Sequence, residues 1–249
     1  MQNPGNLLHC ICMERRVFEG KKALVIGGTS GLGRECASLL LKSGAGIIIT
    51  GRSLPGKDGE DSPGDVHPGF IRCDFEKEGI QALEKGSLGK AVRDADILVV
   101  SYGPFIRKKL EDTGAADWAR LAMFDYALPG LAVSLALPGM IRRGGGSILL
   151  FGGTRSESIL PRSLTAPYHG AKTGLSVIVR SVAKNYASKG IRCNAILPGS
   201  VSTAPPQNAP SGSEGFVVSP RDVAQAAVSL LANPAMNGVL LNVDRGWQP

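Results

Sequence analysis

The chain has 249 residues, of which 43% are hydrophobic and 20% are charged, proportions typical of a globular protein with a substantial core. Its net charge of +7 comes from scattered Lys and Arg residues without interleaved aromatics, which excludes a nucleic-acid-binding stripe and favours anionic small ligands. No segment reaches the roughly 18 unbroken apolar residues of a membrane span. We therefore predict a cytoplasmic protein that binds neither nucleic acid nor membranes.

The five cysteines lie at positions 10, 12, 36, 73 and 193. Their odd number and irregular spacing argue against a disulfide framework, and too few histidines accompany them for a zinc site. We predict reduced thiols, with Cys36, Cys73 and Cys193 in the core, and no metal site.

The first twelve residues are too short and too interrupted in their apolar pattern for a signal peptide. Met13 precedes the point where a compact domain would start. Residues 1–12 are therefore predicted to be either a disordered extension or the product of an upstream start codon, and residues 13–249 a single domain.

Short apolar runs alternate with helical patterns along the first half of the chain. A segment rich in Pro, Gly and Asp, residues 53–69, predicts a surface loop. The predicted strands are 23–26, 46–50, 69–73 and 96–100, and the predicted helices are 34–43 and 76–92.

The same alternation continues to the C-terminus. A long helix, bent or interrupted by Pro129 and Pro138, precedes a helix that carries Tyr168 and ends at Gly190. Predicted strands lie at 147–151, 192–196 and 239–243, and predicted helices at 115–143 and 221–231. Unbroken alternation of this kind predicts the α/β class, with a single doubly wound parallel β-sheet (Rossmann fold) and helices on both faces.

A glycine-rich turn, residues 27–33, follows the first predicted strand and begins a helix. Its sequence is Gly27-Gly28-Thr29-Ser30-Gly31-Leu32-Gly33. Glycines allow a tight turn that presents backbone N–H groups and a helix N-terminus to a pyrophosphate. The turn therefore predicts a dinucleotide site.

Tyr168 and Lys172 are spaced four residues apart on a predicted helix, so the two side chains share one face. A neighbouring cation favours phenolate and lowers the pKa of a tyrosine from its usual value of about 10. The pair therefore predicts a proton donor and acceptor beside the cofactor, and hydride transfer as the reaction.

Together these motifs resemble the classical short-chain dehydrogenase/reductase family across residues 17–247. The resemblance also covers Asp74 after the third strand, the stretch Pro198-Gly199-Ser200-Val201-Ser202-Thr203 and the terminal Asn242-Val243-Asp244-Arg245-Gly246. It implies an NAD(P)(H)-dependent oxidoreductase that interconverts a carbonyl and an alcohol on a small molecule. Family resemblance also implies a homotetramer or homodimer that packs through the long helices.

The resemblance implies roles for individual residues. Tyr168 would be the general acid/base, and Lys172 would support it and hold the nicotinamide ribose. The cofactor-binding residues implied are Gly27, Thr29, Ser30, Gly31, Leu32, Gly33, Arg52, Asp74, Phe75, Gly103, Tyr168, Lys172, Pro198, Gly199, Val201 and Thr203.

Cofactor choice depends on the end of the second strand. An NAD site presents an acid there, whereas this chain has Arg52 and no acid until Asp58. The guanidinium would bind a 2′-phosphate, although it could also stack on adenine or face solvent. NADP(H) is favoured and NAD(H) is possible.

The chain departs from the family pattern at three places. Ser101-Tyr102-Gly103 keeps only the glycine of the usual motif, and Asp125 takes the place of the catalytic Asn. The usual Ser is missing after the fifth strand. We predict that Thr154 supplies its hydroxyl; Ser156 is the second candidate, and a site without any such hydroxyl is the third.

These departures leave a second function open: a degenerate member that binds dinucleotide as a sensor or assembly protein. Two further expectations concern the substrate side. The loop at residues 204–215 is short and polar, which disfavours a bulky, steroid-like substrate, and His169 is predicted to point away from Tyr168 in a structural role.

Overall fold

The computed structural model describes residues 16–54, 69–202 and 216–247. Seven parallel strands form one sheet in the order β3-β2-β1-β4-β5-β6-β7, which confirms the predicted doubly wound fold. The strands are β1 (Lys22–Ile26), β2 (Gly46–Gly51), β3 (Gly69–Arg72), β4 (Ile97–Val100), β5 (Gly146–Phe151), β6 (Ile191–Pro198) and β7 (Leu240–Val243). Strand order reverses beside β1, so a crevice opens at the carboxyl ends of β1 and β4.

Helices cover both faces of the sheet. They are α1 (Gly31–Lys42), α2 (Phe75–Glu78), α3 (Gly86–Asp94), α4 (Ala115–Ala122), α5 (Leu128–Arg142), α6 (Ala166–Tyr186) and α7 (Pro220–Ala232). One core packs α3, α5 and α6 on the sheet, and a second packs α1 and α7 on the opposite face. Cys36, Cys73 and Cys193 are free and buried, as predicted; Cys10 and Cys12 lie outside the described residues.

The prediction of one continuous helix over residues 76–92 is wrong. It consists of α2, a 3₁₀ turn over Ile80–Glu84, and α3. Gly79 (φ 71°) and Gly86 (φ 55°) adopt left-handed conformations at the two breaks, which a continuous right-handed helix does not accommodate.

The long helix runs from α4 into α5 through a π-helical turn over Met123–Ala127. Pro129 has no N–H to donate to the carbonyl of Asp125, four residues earlier, and such a defect is commonly absorbed by a wider turn. The stretch Ala115–Arg142 is the one described helix long and apolar enough to cross a membrane, and half of its most apolar window is buried against the rest of the protein.

Candidate active site

A cleft of about 530 Å³ lies at the carboxyl ends of β1, β2 and β4. The structure brings together in its wall nine of the residues predicted to bind cofactor: Gly27, Thr29, Ser30, Gly31, Leu32, Gly33, Arg52, Phe75 and Gly103. Sequence reasoning did not assign the other lining residues, which are Thr50, Gly51, Ser53, Leu54, Cys73, Ser101 and Tyr102.

The glycine-rich turn is held by hydrogen bonds to the neighbouring strands. The Gly27 N–H donates to Thr50 Oγ1 (3.1 Å), and Ser101 Oγ donates to the Gly27 carbonyl (3.1 Å). A side chain at Gly33 would overlap both the Gly27 carbonyl and the Ser101 hydroxyl, so only glycine allows this close approach. The signal for Thr50 and Ser101 in the sequence was a polar residue at the end of a buried strand.

The electrostatics of the cleft suit an anion. Helix α1 begins after Ser30 with no acidic residue in its first turn, so its positive end is uncompensated. Arg52 is exposed after β2 and is the only charged side chain among the described residues that line the cleft. Asp74 is absent from that lining; it lies at the start of α2, with its carboxylate 4.0 Å from Lys77 Nζ.

Tyr102 lines the cleft and packs against aromatic residues of the neighbouring helices. Its ring lies 5.3 Å from that of Phe75 and packs edge-on against that of Phe124 at 5.8 Å. Its hydroxyl donates to Glu76 Oε1 (3.3 Å), which also accepts from Arg120 (2.7 Å). Tyr102, which departs from the family motif, therefore forms an aromatic part of the cleft wall.

A second cluster surrounds Tyr168 and Lys172 on α6. Lys172 is buried, with its Nζ 5.7 Å from the centroid of the Tyr168 ring. The ammonium donates to the Phe151 carbonyl (2.9 Å) and lies 3.0 Å from Oδ1 of the buried Asp125. A side chain at Gly103 would overlap the Asp125 carboxylate, so this pair adjoins the cleft wall.

The expected effect of Lys172 on the tyrosine is not what the structure shows. Burial raises the pKa of Tyr168, and the Asp125 carboxylate adds to the increase. Burial also raises the pKa of Asp125, although Lys172 and Arg120 oppose the shift. The predicted lowering is wrong for this structure because burial of the phenol raises its pKa and the Asp125 carboxylate adds to the increase.

In the loop after β5, the two candidate hydroxyls, those of Thr154 and Ser156, both make hydrogen bonds within the protein. Thr154 Oγ1 donates to the buried Asp244 (3.0 Å), and the buried Ser156 Oγ accepts from the Gly153 N–H (3.3 Å). Arg155 between them has φ 55°, and its Nε lies 3.1 Å from Asp244 Oδ2. This tie to the C-terminal segment argues against the predicted catalytic role of Thr154.

Gly153 occupies the position against the Tyr168 ring. A Cβ atom there would lie 3.1 Å from Tyr168 Cε1 and 3.4 Å from His169 Nε2. The expectation that His169 points away from Tyr168 is therefore wrong: the two rings meet edge-on at 5.1 Å. The histidine turns inward because its Nδ1 contacts Thr165 Oγ1 (2.9 Å) and the side-chain-free Gly153 leaves room for the ring.

The remaining predicted residues lie at the end of β6. The Gly199 N–H donates to the Val243 carbonyl (3.0 Å), and Val201 forms a parallel bridge with Val218. Pro198 ends the strand, whereas Thr203 and the loop at 204–215 lie outside the described residues. In the described part of the chain no group of three or more His, Cys, Asp or Glu side chains could hold a metal ion.

Comparison with known proteins gives concordant results. The family model described as enoyl-(acyl carrier protein) reductase matches residues 27–248. A 2-dehydro-3-deoxy-D-gluconate 5-dehydrogenase of Formosa agariphila is 30% identical, with 92% of each chain covered. A 3-oxoacyl-[acyl-carrier-protein] reductase of Bos taurus is also 30% identical, over 92% of this chain and 98% of that protein. A solved structure of a short chain dehydrogenase/reductase family protein is 29% identical, with TM-score 0.75 and coverage of 92% and 97%.

Proposed function

This chain belongs to the short-chain dehydrogenase/reductase family and is an oxidoreductase of the alcohol–carbonyl class; from that premise we propose that it prefers NADP(H) and uses Tyr168 as general acid/base. The family binds NAD(P)(H), and the cleft beside the glycine-rich turn has the donors that such a ligand needs. The observation that carries the catalytic proposal is the Tyr168–Lys172 cluster beside Gly103, one of the lining residues of that cleft.

The preference for NADP(H) rests on Arg52. Its exposed guanidinium lies at the end of β2, where a carboxylate would favour NAD(H), and the described residues of the cleft wall supply no acid. A planar guanidinium binds a phosphate through two parallel hydrogen bonds. The turn of residues 27–33 and the N-terminus of α1 would hold the pyrophosphate.

When bound, the nicotinamide supplies or accepts the hydride, and the residues of this chain position the substrate and move the proton. In reduction Tyr168 donates its phenolic proton to the carbonyl oxygen; in oxidation it accepts the proton of the alcohol. Lys172 is anchored by the Phe151 carbonyl and Asp125, which fixes the ammonium near the tyrosine ring. Proton transfer of this kind typically contributes about 10²–10⁴-fold to rate.

The experiment is turnover of NADPH and NADH against a panel of aldehydes, ketones and quinones, together with the 3-oxoacyl thioesters and keto sugar acids suggested by the names of the relatives. Tyr168→Phe should abolish turnover of every accepted carbonyl while NADPH binding persists. Tyr186→Phe, later on the same helix, is the matched control. Cofactor binding without oxidation across the panel would favour the sensor alternative, which these relatives do not support.

We also propose that the protein is a homodimer or homotetramer that packs through its long helices. Met123, Tyr126 and Val177 expose apolar surface, and Val177 is 64% exposed. A side chain at Gly174 would lie 2.8 Å from the Tyr126 ring, so Tyr126 lies against α6 one turn from Val177. An apolar face shared by α6 and the π-helical turn is suited to burial against a second copy.

A further inference from the structure

The ring of His169 has one nitrogen with no partner. Its Nδ1 contacts Thr165 Oγ1 at 2.9 Å, whereas Nε2 is buried and makes no hydrogen bond to any described residue. An unpaired buried polar atom costs free energy, so its retention in a native structure calls for a functional explanation. The atom lies beside Gly153, and the two rings of His169 and Tyr168 meet edge-on at 5.1 Å.

We propose that His169 Nε2–H is the second hydrogen-bond donor to the substrate oxygen, acting together with the Tyr168 hydroxyl. Gly153 makes this possible because it presents no side chain between the tyrosine and the imidazole. The inference rests on the proposed catalytic role of Tyr168. It adds a catalytic residue to a site in which the usual hydroxyl is missing.

The neighbouring hydroxyls do not compete for the role. Thr154 Oγ1 is bound to Asp244, and Ser156 Oγ lies within the loop and accepts from the Gly153 N–H. The Lys172 ammonium donates to the Phe151 carbonyl and pairs with Asp125. Among the described groups around Tyr168, the buried atoms without a hydrogen-bond partner are the Asp125 carboxylate oxygens, which are acceptors, and His169 Nε2, which donates in the Nε2-protonated tautomer.

The geometry around Thr165 favours the tautomer that this role requires. The Thr165 carbonyl already accepts the His169 backbone N–H (2.9 Å) and lies 3.2 Å from Nδ1, whereas the hydroxyl lies closer, at 2.9 Å. A hydroxyl that donates to Nδ1 leaves the proton on Nε2. Thr165 is thus a positioning residue that sets the tautomer.

The imidazole acts as a neutral donor. Burial and, to a smaller extent, the charge of Arg162 lower the pKa of His169 to about 4, and the Thr165 carbonyl opposes the shift only in part. A neutral imidazole can still polarise a carbonyl by donating a hydrogen bond. In reduction the hydride goes to the carbonyl carbon and the Tyr168 proton to the oxygen, while His169 keeps its proton and stabilises the developing negative charge.

The first test compares two replacements on any carbonyl that the wild type reduces. His169→Phe keeps a planar ring but removes the donor and should lower kcat about 10²-fold, the typical effect of deleting such a donor. His169→Gln retains an N–H donor near the Nε2 position and should keep most of kcat. NADPH binding, measured by its fluorescence, should be unchanged in both. Full kcat in His169→Phe, or equal losses in both variants with NADPH binding intact, would overturn the proposal.

The second test does not depend on turnover. The chain has three histidines, so ¹⁵N-histidine labelling, with His169→Phe as the reference, assigns the His169 signals. We expect the Nε2-protonated neutral tautomer in the wild type and in Thr165→Ser, and its loss in Thr165→Val together with a fall in kcat. A protonated Nδ1 in the wild type would contradict the inference even if Tyr168 proves catalytic. An inactive Tyr168→Phe beside an unaffected His169→Phe would uphold the proposed function and reject this one.

Discussion

Asp125 and Lys172 form a buried ion pair, with Oδ1 3.0 Å from Nζ, and Nζ lies 5.7 Å from the centroid of the Tyr168 ring. The carboxylate occupies a position where the family has a neutral amide, so the site contains a negative charge in addition to the ammonium. The pair therefore holds Lys172 in place but weakens its electrostatic support of Tyr168. The first prediction follows from this relationship.

Asp125→Asn should lower the pKa of Tyr168, because it removes the carboxylate that raises it. Neighbouring charges typically shift a pKa by roughly one unit or more. Phenolate should then form at lower pH in an ultraviolet absorbance titration, and the alkaline limb of the activity profile should move the same way. Tyr168→Phe in the same background identifies the signal, and the surface change Asp222→Asn serves as the control. An unchanged titration would show that Asp125 does not influence the tyrosine.

Arg52→Asp should shift cofactor preference from NADP(H) towards NAD(H). The new carboxylate would accept the ribose hydroxyls and repel a 2′-phosphate. Loss of a charge-assisted pair and the added repulsion should weaken NADPH binding at least tenfold, about 1.4 kcal/mol. Titration of both cofactors measures the change. Arg221→Asp, which changes the net charge of the protein by the same amount, is the control. Equal NADPH affinity in the two variants would mean that Arg52 does not contact the phosphate.

Thr154→Val should affect stability more than chemistry. The threonine hydroxyl is bound to the buried Asp244, and loss of a donor to a buried carboxylate costs about 1–3 kcal/mol. Urea unfolding measures the loss, and kcat on an accepted carbonyl should remain within a few-fold of the wild type. Thr113→Val, which removes an exposed hydroxyl, is the comparison. A collapse of kcat with stability preserved would restore Thr154 as the missing hydroxyl donor.

His169 should make the folded state sensitive to acid. Its pKa is about 4 in the folded protein against 6.5 for a free histidine. Between these values the unfolded chain binds more protons, so the free energy of unfolding falls as pH decreases from about 6.5 towards 4. The full shift corresponds to up to roughly 3 kcal/mol. His169→Gln should therefore lose less stability than the wild type between pH 7 and pH 5, measured by urea unfolding. If the wild type and His169→Gln lost the same stability between pH 7 and pH 5, the pKa of His169 would not be lowered in the folded protein.

Val177→Glu should disrupt the proposed oligomer. The substitution puts a charge on the apolar face next to Tyr126, where burial against a second copy would remove it from water. Light scattering coupled to gel filtration should show a smaller assembly for this variant than for the wild type. Leu110→Glu, at another exposed apolar position outside α6 and the π-helical turn, should leave the assembly intact. A monomeric wild type would reject the proposed interface.

The sequence by itself determined the sheet, the glycine-rich turn and the Tyr168–Lys172 pair. These features depend on local patterns: apolar runs of strand length, glycines where the backbone must turn tightly, and four-residue spacing along one helix face. The predicted role of Arg52 in cofactor binding depended on its position at the end of a strand. Two glycines at 79 and 86 also signalled the break in the predicted helix, but their φ values were needed to recognise it.

Only the tertiary structure decided which groups surround the tyrosine. Asp125 meets Lys172 because α6 and the π-helical turn pack together, and Thr154 meets Asp244 across 90 residues of sequence. Neither contact has a local signature, since each joins elements brought together by the shared core. The direction of the His169 ring likewise depends on a hydroxyl one turn earlier and on the space left by Gly153. The pKa of Tyr168 follows from those surroundings, because burial and neighbouring charge are properties of the packed chain.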